Sequence, residues 1–139
     1  MICMNTNDVT ATQVKEMVYQ GKPFPVKNVR VRWLTHKDLG GEEYQHNHAL
    51  RHFTIGPKGE IPMHSHKFTQ IMYLVSGQAI CCSTAKDGKI EEREVGPGDF
   101  AYTYSFEPHA VKNPSESEPV VFLCCIDCVD DKQNCLSPA

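Results

Sequence analysis

The sequence predicts an all-β fold, a sandwich or a barrel built as a single domain. Apolar and polar residues alternate through many short segments, and turn residues such as Gly, Pro and Asp separate these segments. One segment near the N-terminus has the spacing of a helix instead. About eight to ten short strands with regular turns and little helix are typical of a sandwich or a barrel.

The helical segment covers residues 8–19. Residues 10–13, Thr-Ala-Thr-Gln, have the form of a capping box at a helix start. Apolar residues then follow at helical spacing, at Val14, Met17 and Val18. A Gly- and Pro-containing stretch at 20–25 ends the pattern. We therefore expect a short N-terminal helix packed against the barrel or against a second subunit.

The strands are predicted from period-two alternation in the rest of the chain. Val29, Val31 and Trp33 alternate with arginines, which indicates a half-buried strand over 29–33. Residues 57–59 read as a turn, and Asp87-Gly88 has the signature of a hairpin. The remaining predicted strands cover residues 49–55, 70–76, 78–84, 91–95, 100–104 and 120–126.

Composition narrows the class of protein. The 14 basic and 17 acidic residues are well mixed and give a net charge of −3, so no nucleic-acid partner is expected. No apolar run is long enough for a membrane span, and the first residues do not resemble a signal peptide. Seven cysteines, an odd number at irregular spacing, favour a reducing cytoplasm over a disulfide framework.

A metal site is predicted from histidine spacing. His64 and His66 lie two residues apart, so on a strand both side chains point to the same face. Imidazole is a common ligand of borderline metals, and two on one face make half a site. His109 follows further along the chain, after the Gly-Asp pair at 98–99. This pattern makes His109 the candidate for a third ligand.

Two stretches around these histidines resemble the two cupin motifs. The stretch from Gly59 to Gly77 is similar to the first motif, and the stretch from Gly98 to Asn113 to the second. The matching positions are His64, His66, Gly77, Gly98, Asp99, His109 and Asn113. The sequence departs from the motifs at Gln70, where the family usually has Glu, at Tyr104 and Phe106, where it usually has Pro and Gly, and in the spacing of Gly59.

The resemblance implies a single cupin domain over 1–139, a jelly-roll barrel also described as a double-stranded β-helix. The barrel core would cover about 26–127, with an N-terminal arm at 1–25 and a Cys-containing tail at 128–139. It implies one divalent transition metal per chain, held by His64, His66, His109 and, as fourth ligand, Gln70. Sequence does not choose among Zn, Fe, Ni, Mn and Co.

A glutamine in place of glutamate changes the chemistry expected of the site. The amide is a neutral and weaker oxygen donor, so the site is one charge more positive than a three-His, one-Glu site. Gln70 also cannot serve as a general base. The position is therefore either a weaker ligand or one that a substrate displaces.

Two functions of different classes are compatible with these residues. The first is a small metalloenzyme, a dioxygenase or an isomerase/lyase, acting on a small oxygenated substrate chelated at the metal. Tyr102 and Tyr104 are its candidate acid–base groups. The alternative is a non-catalytic module that binds a small ligand or senses metal or redox state through its late cysteines. The N-terminal arm and the family resemblance further lead us to expect a homodimer.

Alternation also indicates which side chains line the pocket. With Gln70 facing inward, Met72 and Leu74 face inward and Ile71 and Tyr73 face outward. The candidate substrate-binding residues are Arg51, Met72, Phe100, Tyr102 and Phe106. A guanidinium at Arg51 suits a carboxylate or enolate, although a surface salt bridge is the simpler interpretation.

Other clusters are given simpler interpretations. His46 and His48 form a second His-x-His, which we interpret as surface polar residues. Cys125 and Cys128 have the spacing of a metal knuckle or redox pair, with Cys135 nearby, but they follow an apolar strand and lack a second such pair. The favoured interpretation is that Cys124 and Cys125 are small apolar residues of this strand.

Overall fold

The computed structural model describes residues 1–44 and 46–128. Regular structure in this part of the chain is β, apart from one 3₁₀ turn at Thr6–Asp8, so no described helix is long and apolar enough to cross a membrane. The strands are β1 (Thr12–Gln13), β2 (Glu16–Tyr19), β3 (Lys22–Pro25), β4 (Lys27–Trp33), β5 (His48–His64), β6 (Gln70–Ser76), β7 (Ala79–Thr84), β8 (Ile90–Val95), β9 (Phe100–Thr103), β10 (His109–Lys112) and β11 (Val120–Asp127).

One nine-stranded sheet curls into a nearly closed barrel, which confirms the all-β fold class. Its strand order is β8-β7-β10-β5-β11-β6-β9, with β4 also on β5 and β1 on β4. The edge strands β8 and β9 are not paired with each other in the described part of the chain. The barrel is therefore open along one side, between these two edges.

Strand β5 joins the two halves of the barrel. Its first half pairs with β4 and β11, and its second half pairs with β10. The turn expected at 57–59 is wrong, because β5 runs through this segment as one strand of 17 residues. It bends there instead, since Lys58 has a left-handed φ of 58° and the β4 register shifts opposite it. The bend carries the end of β5 across the barrel.

Alternation places the core as the sequence predicts. Along β6 the burial strictly alternates, with Gln70, Met72 and Leu74 buried and Ile71 and Tyr73 exposed. The inward side chains of β11 alternate in the same way and pack against those of β4 and β5. Phe53 and Phe122 stack in the centre with ring centroids 5.0 Å apart.

The helix expected over residues 8–19 is wrong. This segment contains β1 and β2, and β2 pairs with β3 in a small hairpin. Gln20 and Gly21 both have positive φ, 52° and 74°, which is the two-residue turn that joins antiparallel strands with the correct twist. Burial along β2 has a period of two, with Met17 and Tyr19 partly buried and Val18 61% exposed, and Met17 packs on the core. Tertiary pairing thus overrides the weak helical spacing.

Asn113 ties together the turns near the bend of β5. Its buried Nδ2 donates to the carbonyl oxygens of Ile55 (3.0 Å), Gly56 (3.0 Å) and Glu118 (2.8 Å), and its Oδ1 accepts from the Ser115 amide at 3.0 Å. A side-chain amide that satisfies several buried backbone groups is costly to remove. Its role is therefore structural, although it belongs to the second motif.

We predict that Asn113→Ala lowers the free energy of unfolding by about 2–3 kcal/mol, because it leaves buried backbone groups unpaired. Urea unfolding followed by tryptophan fluorescence measures the change. Glu116→Ala, three residues away at a side chain 87% exposed, is the control and should change it by less than about 1 kcal/mol. Equal effects of the two variants would contradict the assigned role.

Candidate metal centre

Three histidines converge inside the barrel. His64 ends β5 and His109 begins β10, and the two residues are direct partners in the β5–β10 register. His66 lies just beyond β5, with its ring centroid 5.5 Å from that of His64 and 4.8 Å from that of His109. One nitrogen from each ring lies within 4.8 Å of the others. The structure therefore brings together the three residues that the motif spacing selected.

Backbone carbonyls orient all three rings. The Nδ1 atoms of His64, His66 and His109 each lie 2.8 Å from a carbonyl oxygen, those of Pro62, Phe68 and Glu107 respectively. Such a bond places the proton on Nδ1 and leaves Nε2 as the lone-pair nitrogen, as in metal-binding histidines generally. Phe68 also stacks on the His66 ring, at 3.8 Å between centroids.

The residues fit a metal ion. The Nε2 atoms of His66 and His109 are buried and have no hydrogen-bond partner among the described residues. Buried nitrogen atoms without a partner cost free energy, and a bound cation would satisfy both. His64, His66 and His109 would hold it.

Burial keeps these imidazoles neutral, which is the form that ligates metal. Desolvation lowers the pKa of His109 to about 3 and that of His66 to about 4, from an ordinary value of 6.5. Desolvation also lowers the pKa of His64. All three rings are therefore uncharged at neutral pH.

Gln70 lies at the edge of the histidine cluster. It begins β6, is buried, and lines the same small compartment of about 90 Å³ as the three histidines. Its Oε1 accepts a hydrogen bond from Arg51 Nη2 at 3.4 Å. The preceding residue is fixed by Asp127, whose Oδ2 accepts from the Thr69 amide at 2.7 Å and from its hydroxyl at 2.6 Å. This placement allows Gln70 to act as the fourth ligand.

Arg51 is inside the barrel, contrary to the simpler interpretation of a surface salt bridge. Its guanidinium lies over the rings of Trp33 and Phe53, at 5.4 and 5.0 Å, and its Nη2 lies 2.9 Å from Cys124 Sγ. Together with Gln70, it lines the compartment that contains the histidines. Arg51 is therefore positioned to meet a ligand bound there.

A wider cavity of about 520 Å³ opens between the unpaired edges β8 and β9. Gln70 and His109 line both this cavity and the small compartment, so the histidine cluster lies where the two meet. Met72 lines the wide cavity, as expected. Sequence reasoning missed Glu91 and Arg93, which also line it. Glu91, Arg93 and Val95 lie two residues apart on β8 and therefore share one face of the strand. This spacing is the signal that could have identified them.

The aromatic residues expected in the pocket lie farther out. Phe100 and Tyr102 contact the rim of the wide cavity but are 71% and 63% exposed, because β9 turns Ala101 and Thr103 inward instead. Tyr104 also lies on this rim. Phe106 is 63% exposed and is not among the residues that line either cavity. Its backbone amide donates to the His66 carbonyl at 2.8 Å.

The remaining clusters do not form a second site in the described residues. His48 is exposed and His46 Nε2 lies 2.9 Å from the Leu39 carbonyl. Cys125 is a free thiol on the partly exposed face of β11, so no disulfide joins it to Cys128. Cys135 lies outside the described residues. Cys124 is a free thiol buried next to Arg51, which sequence analysis treated only as strand packing.

Comparison with protein families gives the affiliation of the chain. The family model described as "Cupin domain" matches residues 51–126, which is more than half of the sequence. The chain belongs to the cupin domain family. The match runs from within β5 to within β11 and includes all of the candidate metal ligands. A search of curated proteins found no significant match to this cupin.

Solved structures resemble this cupin in fold. The polyketide cyclase RemF from Streptomyces resistomycificus has a TM-score of 0.71 at 24% identity, covering 92% of this chain and 80% of that one. Rru_A2000 from Rhodospirillum rubrum, a cupin-2 domain, has a TM-score of 0.67 at 18% identity, covering 91% and 74%. Oxalate decarboxylase from Bacillus subtilis has a TM-score of 0.69 at 20% identity, and this chain covers only 32% of it.

We predict that the metal-free protein loses stability as the pH falls from 7 to 5. In the unfolded chain His66 and His109 titrate near 6.5, whereas burial lowers both pKa values in the folded chain. The unfolded state therefore binds more protons in this window, and the free energy of unfolding decreases. Urea unfolding after chelator treatment, at pH 7, 6 and 5, measures it.

The double variant His66→Gln/His109→Gln should flatten this dependence, whereas His48→Gln, at an exposed position, should leave it unchanged. A slope that is the same in the double variant and the wild type would show that these two rings do not carry it.

Proposed function

We propose that this cupin is a metal-dependent enzyme acting on a small oxygenated organic substrate. The observation that carries the proposal is the pair of buried Nε2 atoms, of His66 and His109, that have no partner among the described residues. Both residues line the small compartment, and His109 also lines the wide cavity. Ligands on one side of a bound ion and open space on the other are what a catalytic metal site requires. A structural site would instead be closed by protein groups.

A bound divalent cation would supply Lewis-acid polarisation of a chelated oxygen or, if redox-active, electrons for reaction with O₂. The chain's own residues would orient the substrate. Arg51 donates hydrogen bonds from the enclosed side, and Met72 supplies an apolar wall. Tyr104 and Glu91 line the wide cavity and are the groups available there to move a proton, whereas Tyr102 reaches only its rim from the outer face of β9.

The isomerase/lyase branch receives more support than the dioxygenase branch. Two structural neighbours are, by name, a polyketide cyclase and a decarboxylase. The neutral Gln70 points the same way, because a site one charge more positive favours polarisation of a carbonyl or enolate. Zinc, nickel, manganese or cobalt would suit this branch, and iron would suit the dioxygenase.

A redox sensor that works through its cysteines is supported less well. Cys124 is 1% exposed, and burial raises the pKa of its thiol, although Arg51 opposes the shift. Burial also raises the pKa of Cys125. Reactive thiols generally have lowered pKa values and are accessible to solvent.

We predict that protein purified without added metal or chelator contains about one divalent transition metal per chain, and that His64→Ala loses it, because three imidazoles are needed for tight binding. Elemental analysis measures the content, with circular dichroism to confirm folding. His48→Ala removes an exposed histidine from the second His-x-His and should retain the metal. If folded wild-type protein neither contains nor takes up metal, the enzyme proposal is wrong.

We further propose that the protein is a homodimer in the cytoplasm. Five apolar side chains are about half-exposed or more on the outer face of the paired strands β6 and β9, namely Ile71, Tyr73, Val75, Phe100 and Tyr102. An exposed patch of this kind on adjacent strands marks an interaction surface, and a second copy of the chain could cover it symmetrically. Five of the described cysteines are free thiols, which supports a reducing compartment, although Cys128 is disulfide-bonded.

We predict a solution mass of twice 15.7 kDa for the wild type and a monomer for Tyr73→Arg, because the variant places a charge in the apolar patch. Light scattering coupled to size-exclusion chromatography measures the mass. Glu94→Arg, at an exposed position on β8, introduces the same side chain and should remain dimeric. A monomeric wild type would overturn the dimer proposal and would leave the metal-site proposal unaffected.

A further inference from the structure

The compartment beside the metal centre carries an unbalanced positive charge. Its lining includes the guanidinium of Arg51 and three neutral imidazoles, but no carboxylate. Among the described residues no Asp or Glu oxygen lies within 4.0 Å of Arg51. Burying a charge without a counter-charge is unfavourable, and a divalent cation nearby would add to the imbalance. The compartment therefore favours an anion.

Arg51 has hydrogen-bonding capacity that the described residues do not use. A guanidinium has five N–H donors, whereas the described residues engage only Nη2, weakly toward Gln70 Oε1 at 3.4 Å and toward Cys124 Sγ at 2.9 Å. Its Nε is buried with no partner among the described residues. The guanidinium lies over the rings of Trp33 and Phe53, which restrict its orientation. A fixed guanidinium with open donors is suited to bidentate contact with a carboxylate.

The glutamine at position 70 keeps Arg51 available. A glutamate there would place a carboxylate oxygen where Gln70 Oε1 now lies, 3.4 Å from Arg51 Nη2. The two groups would form a partly buried ion pair, and the charge of Arg51 would be neutralised within the protein. With the amide, the charge of Arg51 has no carboxylate partner in the described part of the chain. The glutamine that departs from the usual motif is thus also the residue that leaves Arg51 without a carboxylate at this position.

We propose that Arg51 and Gln70 form a carboxylate-binding subsite, so that the ligand of this cupin is a small organic acid. Its carboxylate would bind the Arg51 guanidinium, and a second oxygen would face the Nε2 atoms of the histidines. The small compartment measures about 90 Å³, roughly three water molecules by liquid volume, so it accepts a carboxylate with one or two further carbons. The rest of a longer acid would extend into the wide cavity.

The contact of the second oxygen rests on the proposed metal function, whereas the carboxylate contact with Arg51 does not. The test uses matched probes of nearly equal shape that differ by one charge: formate, acetate and pyruvate against formamide, acetamide and pyruvamide. Isothermal titration calorimetry on full-length protein as purified measures their binding, and elemental analysis reports the metal content of every sample.

We expect wild-type protein to bind at least one acid about tenfold or more tightly than its amide, because a charged hydrogen bond is lost in the amide. Arg51→Met should lose this preference. Gln70→Glu should lose it as well while retaining metal, since the new carboxylate occupies Arg51. Arg30→Met removes an exposed arginine from β4, the strand that pairs with β5, and should keep wild-type binding.

The outcomes separate the two proposals. Equal binding of acids and amides, no binding of any probe, or an acid preference that survives in folded Arg51→Met would overturn the subsite. Wild-type affinity in Gln70→Glu would also overturn it. If Arg51→Met does not fold, Gln70→Glu still provides the test, because that variant retains the arginine. An Arg51-dependent preference in wild-type protein that neither contains nor takes up metal would support the subsite and contradict the metalloenzyme.

Discussion

The pairing of β5 with β10 is the constraint on which the site depends. β5 is a single strand of 17 residues that contacts β4 and β11 with one half and β10 with the other. Its bend at Lys58 carries the strand across the barrel, and the register then sets His64 directly opposite His109. A slip of one residue would turn one of these rings out of the barrel. The fold and the histidine cluster are therefore specified together.

Burial and hydrogen bonding then determine the charge and the free nitrogen atoms of the histidine cluster. Burial keeps the imidazoles neutral, backbone carbonyls fix each Nδ1, and two Nε2 atoms have no partner among the described residues. In the same part of the chain no carboxylate lies within 4.0 Å of the adjacent Arg51. A protein pays in stability for such groups, and they are typical of sites that bind something else. Asn113, in contrast, has a structural role at its motif position, because its side chain donates hydrogen bonds to backbone carbonyl oxygens.

Much of the fold could be predicted from the sequence because burial alternates along the strands. The inward set on β6 follows directly from Gln70, Met72 and Leu74. The N-terminal segment could not be predicted in this way, since Val14, Met17 and Val18 have helical spacing in the sequence although Val18 is exposed on β2. The positive φ values of Gln20 and Gly21 and pairing with β3 decided the outcome. Residues 57–59 were likewise a bend within a strand rather than a turn, because pairing continues on both sides.

By itself, the sequence determined the barrel and the three histidines, because alternation and motif spacing are local properties of the residue order. Only the tertiary structure decided what surrounds them. Arg51 and Gln70 are 19 residues apart, and Arg51 and Cys124 are 73 apart, yet their side chains meet. Alternation shows which face a residue occupies but not which distant residue it faces. Whether an arginine is neutralised depends on that neighbour, so its availability for a ligand emerges only when the strands are paired.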